Sequence, residues 1–274
     1  MEIRQEHLLL FSLVNFVLLI IAIVVAVINS RKYGKIKEVD KEKDEFISMA
    51  AHELRAPLTA IKGYLSMIVE GDAGEVSPKA RGFLADASAV NERLVRLVNN
   101  MLNVSRIEQG RLVFQMDKLH LARAARSAFD AFRAEAERKD LEILLEIPEK
   151  ISDVVFVDPD KIDEVIANLV SNAVKFTNEG FVKIKLLNLQ EGGIRLEVID
   201  SGPGISAEEQ KKLFRKFYRV ESTSGKTIGT GLGLYICKLL IEKFSGKIGL
   251  ISNDDKGSTF WFELPISKSD REIS

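Results

Sequence analysis

Apolar residues in the first part of the chain recur every three or four positions, a spacing that places them on one face of a helix. The pattern predicts a first helix from about Lys35 to Glu70 and a second from Pro78 to about Gln109. The segment that begins at Gly71 predicts a turn, with Ser77 as the N-cap of the second helix. Such a hairpin cannot bury both long apolar faces by itself, so the pattern predicts a homodimer in which two hairpins form a four-helix bundle.

After Gly110 the periodicity changes to short segments of strand and helix type, which predicts an α/β domain. The N-cap signals are Asp158 before Pro159 and a capping box of Ser206 with Glu209. The predicted helices are Leu121 to Lys139, Pro159 to Phe176, Ala207 to Phe217 and Leu232 to Phe244. The predicted strands are Leu141 to Glu146, Phe181 to Leu189, Ile194 to Asp200, Lys247 to Ser252 and Thr259 to Leu264.

An uncharged run from Leu8 to Ile28 is long enough, at about 30 Å as a helix, to cross a bilayer once. The alternative, a cleaved signal peptide, is disfavoured because the run is too long and no small-residue cleavage site follows it. Basic residues just after the run predict that the remaining domains lie in the cytoplasm, beneath the inner membrane. The predicted divisions are a membrane anchor (1–30), a helical dimerisation region (31–110), an α/β domain (111–268) and a polar tail (269–274).

The overall charge favours no polyanionic partner. The 39 basic residues nearly balance the 40 acidic ones, so the chain has no global field that would attract nucleic acid. Its single cysteine, Cys237, falls within a predicted helix, which indicates a buried thiol and excludes a disulfide framework within the chain.

His52 has the sequence context of a reactive side chain. On a helical wheel it lies about 160° from the centre of the apolar stripe, and Glu53 follows it directly. An imidazole on the solvated face beside a carboxylate is placed to react with a group from solution. Pro57, five residues later, predicts a kink beside the histidine.

Three segments of the α/β domain together predict a nucleotide site. Asn168 and Asn172 are one helical turn apart with Lys175 nearby, and an amide oxygen suits Mg²⁺, although these residues alone are also typical of a solvated helix face. Asp200 ends a predicted strand in the segment DSGPGI, where a carboxylate can accept a hydrogen bond from the amino group of adenine. The segment GTGLGL begins a predicted helix, where free backbone N–H groups favour phosphate. A mobile lid is predicted between the last two of these segments. It consists of FRKFYR and the Ser, Thr and Gly rich stretch that follows it.

With these segments in this order, the chain resembles the sensor histidine kinases of two-component signalling over residues 35 to 266. MAAHELRAPL resembles the phosphoacceptor box, NLVSNAVKF the N box, DSGPGI the first glycine box, FRKFYR the F box and GTGLGL the second glycine box, and GSTFWFELP resembles the terminal strand. The resemblance implies a dimeric phosphotransfer bundle joined to an α/β two-layer sandwich of the Bergerat ATP-binding type. It also implies that ATP and Mg²⁺ are used and that the phosphoryl group passes to an aspartate of a separate response regulator.

The same resemblance implies roles for individual residues. His52 would accept the phosphoryl group and Glu53 would orient its imidazole, while Asn172 would hold Mg²⁺. Asp200 would bind adenine, with Thr259 completing those contacts. The other implied nucleotide-binding residues are Asn168, Lys175, Phe176, Gly202, Gly204, Ile205, Phe217, Gly229, Thr230, Gly231, Leu232 and Gly233.

Residues 56 and 168 bear on two other activities, dephosphorylation of the partner and hydrolysis of ATP by water. Many relatives have Thr or Asn four residues after the histidine to position water for dephosphorylation, and Ala56 stands there, so phosphatase activity is not implied. Relatives that hydrolyse ATP with water carry a general-base Glu four residues before the metal asparagine, and Asn168 stands there. A water-hydrolysing ATPase is therefore disfavoured. The remaining alternative is an inactive kinase that acts as a dimeric scaffold.

Overall fold

The computed structural model describes residues 47, 49–190, 192–220, 230–252 and 256–267. The predicted membrane span, the first part of the predicted first helix, the Ser, Thr and Gly rich stretch that ends at Gly229 and the predicted polar tail lie outside these residues. Within the described part of the chain, no helix has the length and apolar character that a membrane crossing requires.

The hairpin consists of helix α1, which covers residues 49–70, and helix α2, Pro78–Glu108. Ser77 is the N-cap of α2, as predicted, because its hydroxyl accepts a hydrogen bond of 3.2 Å from the Ala80 N–H. Helix α1 continues through Pro57, so the proline does not end the helix. The two helices are held together by a small apolar cluster of Ala51, Val98 and Leu102 and by hydrogen bonds from Arg55 to Asn99.

Much of the apolar surface of this hairpin remains exposed in one copy of the chain. Leu54 of α1 is 51% exposed and Phe83 of α2 is 64% exposed, although both are large apolar residues. The other exposed apolar residues of the hairpin are Ile61, Tyr64, Met67, Val69, Val90 and Leu94, together with Met49. An apolar surface of this extent is typical of an interaction surface.

The predicted α/β sandwich is confirmed. A five-stranded sheet has the order β2-β4-β5-β7-β6, in which only the β2–β4 pair is parallel. Side chains alternate between buried and half-buried along β4, β5 and β7, which places one face of the sheet against a layer of helices. The strands of the sheet are β2 (Leu141–Glu146), β4 (Gly180–Asn188), β5 (Gly193–Asp200), β6 (Lys247–Ser252) and β7 (Ser258–Pro265). The helices are α3 (Leu121–Glu137), α4 (Pro159–Phe176), α5 (Ala207–Gln210) and α6 (Gly233–Lys243).

Two parts of the sequence-based assignment are wrong. The helix predicted for Ala207 to Phe217 ends at Gln210, because the chain continues in tight turns and Phe217 adopts a positive φ of 62°. Two short strands, β1 (Asp117–His120) and β3 (Val154–Val157), form a separate antiparallel ladder that was not predicted. Four residues are too few to give a clear alternation in the sequence.

Helix α2 belongs to both parts of the molecule. Val104 lies in the main core of the α/β domain, and Leu97, Met101 and Ile107 pack against that core. At the end of the helix, the Glu108 carboxylate accepts hydrogen bonds from the Tyr235 hydroxyl and from the Lys216 ammonium, the latter at 2.8 Å. The hairpin is therefore docked on the α/β domain along α2 and α6.

Candidate active site

A cavity of about 260 Å³ opens between α4, the start of α6 and the adjoining ends of β5 and β7. Ten of the predicted nucleotide-binding residues line it. They are Asn168, Asn172, Lys175, Phe176, Asp200, Gly204, Ile205, Thr230, Gly231 and Gly233. The α/β fold thus brings together side chains from three segments that are far apart in the sequence.

Four of the predicted residues do not line the cavity. Gly202 contributes indirectly, because its N–H donates a hydrogen bond of 2.9 Å to the cavity residue Asp200. Phe217 and Leu232 line a smaller neighbouring pocket against α2. Thr259 on strand β7 does not line the cavity, whereas its buried neighbour Ser258 does. Side chains alternate along a strand, so a shift of one residue moves the hydroxyl to the other face of the sheet.

Asp200 is a buried acidic residue of the cavity lining. It ends strand β5 with 8% of its surface exposed, and its Oδ1 accepts hydrogen bonds from the N–H groups of Gly202 and Ser258, at 2.9 and 3.3 Å. Burial raises the pKa of Asp200, and the two N–H donors partly offset this. Gly257 must be a glycine because a Cβ there would overlap the Asp200 carbonyl oxygen. A carboxylate in this position can accept a hydrogen bond from an amino group that enters the cavity.

Asn168 and Asn172 interact with each other on the cavity face of α4. The Asn172 amide donates a hydrogen bond of 3.0 Å to Asn168 Oδ1, which leaves the Asn172 Oδ1 without a partner among the described residues. A Cβ at Gly233 would overlap Asn168 Nδ2, so the start of α6 can approach the asparagines only as glycine. In the described parts of the chain, no three His, Cys, Asp or Glu side chains gather into a metal site. A single amide oxygen fits Mg²⁺, which takes most of its other ligands from water and phosphate.

Positive charge gathers beside these asparagines. Partial burial lowers the pKa of Lys175, and the charges of Arg219 and Arg93 lower it further. The Lys175 ammonium lies 4.8 Å from the centre of the Phe176 ring, and Arg219 also lines the cavity. Cations that repel one another in a partly buried position are stabilised by an anion, so this region is suited to phosphate groups.

The structure also adds cavity residues that the sequence did not predict. Tyr218 and Arg219 lie within the segment FRKFYR, whose pattern gave no sign of which side chains turn inward. Asn100 comes from α2, outside the α/β domain. The remaining additions are Ala173, Pro203, Leu213, Val220, Leu234, Ser258 and Phe260.

His52 lies outside the cavity lining. Its side chain is on the exposed surface of α1, as predicted, and Glu53 beside it is also exposed. The structure therefore has, within one chain, an accessible imidazole and a separate cavity lined by both apolar and polar residues.

We predict that Asp200→Asn makes the protein more stable at neutral pH. Because burial raises the pKa of Asp200, its ionised form disfavours the folded state at any pH above that raised value. Below the ordinary aspartate pKa of about 3.9 the carboxyl is protonated in both states, so the gain disappears. Thermal unfolding between pH 3 and 8 measures the effect, with exposed Glu149→Gln as the control. An unchanged or lower melting temperature at pH 7 would contradict the assigned burial cost.

Comparison with known proteins matches both parts of the chain. Residues 42–110 match the His Kinase A (phospho-acceptor) domain, and residues 157–268 match the histidine kinase-, DNA gyrase B- and HSP90-like ATPase domain. Drug sensory protein A of Synechocystis sp. is 36% identical over 85% of this chain and 36% of its own length. The sensor histidine kinase WalK of Bacillus subtilis is 33% identical over 86% of this chain and 39% of its own length.

The chain thus spans less than two fifths of the length of these relatives. The crystal structure of full-length ShkA in complex with AMPPNP shares the fold, with a TM-score of 0.70 at 24% identity over 82% of this chain and 46% of that one. Both domain types occur here in the same chain, in the order in which the sequence boxes were found. The chain therefore belongs to the sensor histidine kinases of two-component signalling, a family of protein histidine kinases.

Proposed function

We propose that this chain uses ATP to phosphorylate its own His52 and then passes the phosphoryl group to an aspartate of a separate response regulator. The observation that carries the proposal is the cavity, whose lining includes a buried carboxylate, two hydrogen-bonded asparagines and the cations Lys175 and Arg219. These groups are suited to the amino group and the phosphates of one ATP molecule. The exposed imidazole of His52 is the nucleophile outside it.

In the proposed reaction the residues of this chain bind and orient the nucleotide. The Asp200 carboxylate accepts a hydrogen bond from the adenine amino group, and Lys175 and Arg219 balance the phosphate charge. Asn172 would hold Mg²⁺ through its amide oxygen, which has no partner among the described residues. The bound ion would supply charge neutralisation during the transfer.

The transfer step forms one bond and breaks one. A nitrogen of the His52 imidazole bonds to the γ-phosphorus as the bond to the β–γ bridging oxygen breaks, and ADP leaves with that electron pair. The other ring nitrogen keeps its proton and donates it in a hydrogen bond to the Glu53 carboxylate. This hydrogen bond orients the imidazole. Because His52 is not part of the cavity lining, the step requires the α/β domain to move along the hairpin or to reach the histidine of a partner protomer.

Hydrolysis of ATP by water is the weaker alternative. Asn168, at the position of the general base in hydrolytic relatives, is an amide already engaged by Asn172 and cannot take a proton from water. A protein that acts only as a scaffold would not require a cavity with both a carboxylate suited to adenine, Asp200, and an amide suited to a metal ion, Asn172.

The chain acts at the inner membrane in this proposal. The support is the uncharged run from Leu8 to Ile28, followed by basic residues. Recovery of the full chain in the membrane fraction after an alkaline wash tests this anchor, and recovery in the soluble fraction would contradict it.

Autophosphorylation is tested with γ-labelled ATP and Mg²⁺ on the full chain. We expect acid-labile, alkali-stable label that falls to background in His52→Gln, because the acceptor nitrogen is removed, and that is also lost when Mg²⁺ is chelated. His120→Gln is the matched control, since His120 is another exposed histidine, with 67% of its side chain accessible. Label that persists in His52→Gln, or that never forms on the wild-type chain, would contradict the proposal.

A second prediction concerns Ala56, which is exposed one turn after His52. We expect Ala56→Thr to speed dephosphorylation of the partner regulator several-fold, because the new hydroxyl can position the attacking water. The rate of phosphate loss from the phosphorylated regulator measures this, with the neighbouring Ala60→Thr as control. Equal rates for both variants would show that Ala56 does not limit the reaction.

A third prediction concerns the homodimer that the exposed apolar face of the hairpin supports. We expect Leu94→Glu to weaken dimerisation at least roughly tenfold, because burial of a leucine contributes about 1.5–3 kcal/mol and a buried carboxylate is unfavourable. Sedimentation over a range of concentrations measures the dimer. The control is Ala85→Glu, since Ala85 is exposed on the same helix and lies about 180° around the helix axis from Leu94. A wild-type chain that remains monomeric, or a Leu94→Glu chain with undiminished association, would exclude this face as the dimer interface.

A further inference from the structure

Asn100 is a cavity residue that belongs to the hairpin. It lies on α2, yet it lines the same cavity as Asn172, Lys175 and Asp200 of the α/β domain. The residue is half-buried, and its amide has no hydrogen-bond partner among the residues that the structure describes. A side-chain amide that lines a cavity and has no hydrogen-bond partner is available to a ligand.

Helix α2 packs against α6, whose first residues line the same cavity as Asn100. Gly233 and Leu234 are these residues. The N-terminus of a helix presents free N–H groups that favour phosphate. The packing of α2 on α6 therefore supports a role for Asn100 towards the phosphates of a ligand.

A second residue of α2 adds charge on the same side. Arg93 lies two helical turns before Asn100 on the same face of α2. It is close enough to Lys175 for its charge to contribute to the lowered pKa of that ammonium. The hairpin thus contributes an amide to the cavity lining and a guanidinium near Lys175.

We propose that Asn100 contacts the phosphates of bound ATP, so that the nucleotide bridges the hairpin and the α/β domain while the two are docked. The inference rests on the proposed binding of ATP in this cavity. The Asn100 amide N–H donates to a phosphate oxygen, which couples nucleotide binding to docking of α2. A ligand that contacts both sides stabilises the docked arrangement by the free energy of that added contact.

The test is titration of the full chain with Mg·ATP and, separately, with adenosine. We expect Asn100→Ala to weaken ATP binding about tenfold, which is the usual effect of losing a hydrogen bond to a charged group. Asn100→Asp should weaken it further through repulsion between the carboxylate and the phosphates. Adenosine affinity should be unchanged in both variants, because adenosine has no phosphate. Alanine is a better helix former than asparagine, so Asn100→Ala should preserve α2.

Asn103→Ala is the matched control, since Asn103 is a half-buried asparagine on the same helix and does not line the cavity. Bound ATP should also slow amide hydrogen exchange around Asn100 in the wild-type chain, and less so in Asn100→Ala. Equal ATP affinity in Asn100→Ala and Asn103→Ala, or a parallel loss of ATP and adenosine affinity, would overturn the inference while leaving ATP binding established. A wild-type chain that binds no ATP would instead overturn the proposed function, and this inference with it.

Discussion

The carboxylate of Asp200 is kept inside the α/β domain, where no cation among the described residues forms an ion pair with it. Two backbone N–H groups, from Gly202 and Ser258, are the hydrogen-bond donors that hold it there. They reach it only because Gly257 lets β7 pass against the end of β5, where a side chain would collide with the Asp200 backbone. The glycine beside the carboxylate and the two N–H donors accommodate this buried acceptor, and an energetic cost of this kind is typical of functional sites.

The second organising feature is that helix α2 packs in both the hairpin and the α/β domain. Its early residues contribute to the exposed apolar face of the hairpin, and its later residues complete the core of the α/β domain through Val104. The contacts of Glu108 with Lys216 and Tyr235 join the end of the helix to the segment FRKFYR of the predicted lid and to α6. A movement of the α/β domain along its own hairpin would have to change these contacts.

Sequence patterns predicted features governed by local physics. Helix α4 has the predicted bounds because Asp158 and Pro159 define its start, and the central strands were found from their alternation. The exposure of His52 followed from the helical wheel. The pattern did not indicate that Ser258 lines the cavity, because it gives the alternation of a strand but not which set of residues faces the cavity. The contribution of Asn100 depends on how two separate parts of the chain dock, which no local pattern records.

The central claim is that a nucleotide in the cavity gives its terminal phosphoryl group to the imidazole of His52. The most direct measurement is tandem mass spectrometry of the wild-type chain, quenched in alkali after incubation with Mg²⁺ and ATP that carries an oxygen isotope in its γ-phosphate. The account predicts that the isotope-bearing phosphoryl group is found on His52. Isotope found on a different residue, or released only as inorganic phosphate, would contradict it.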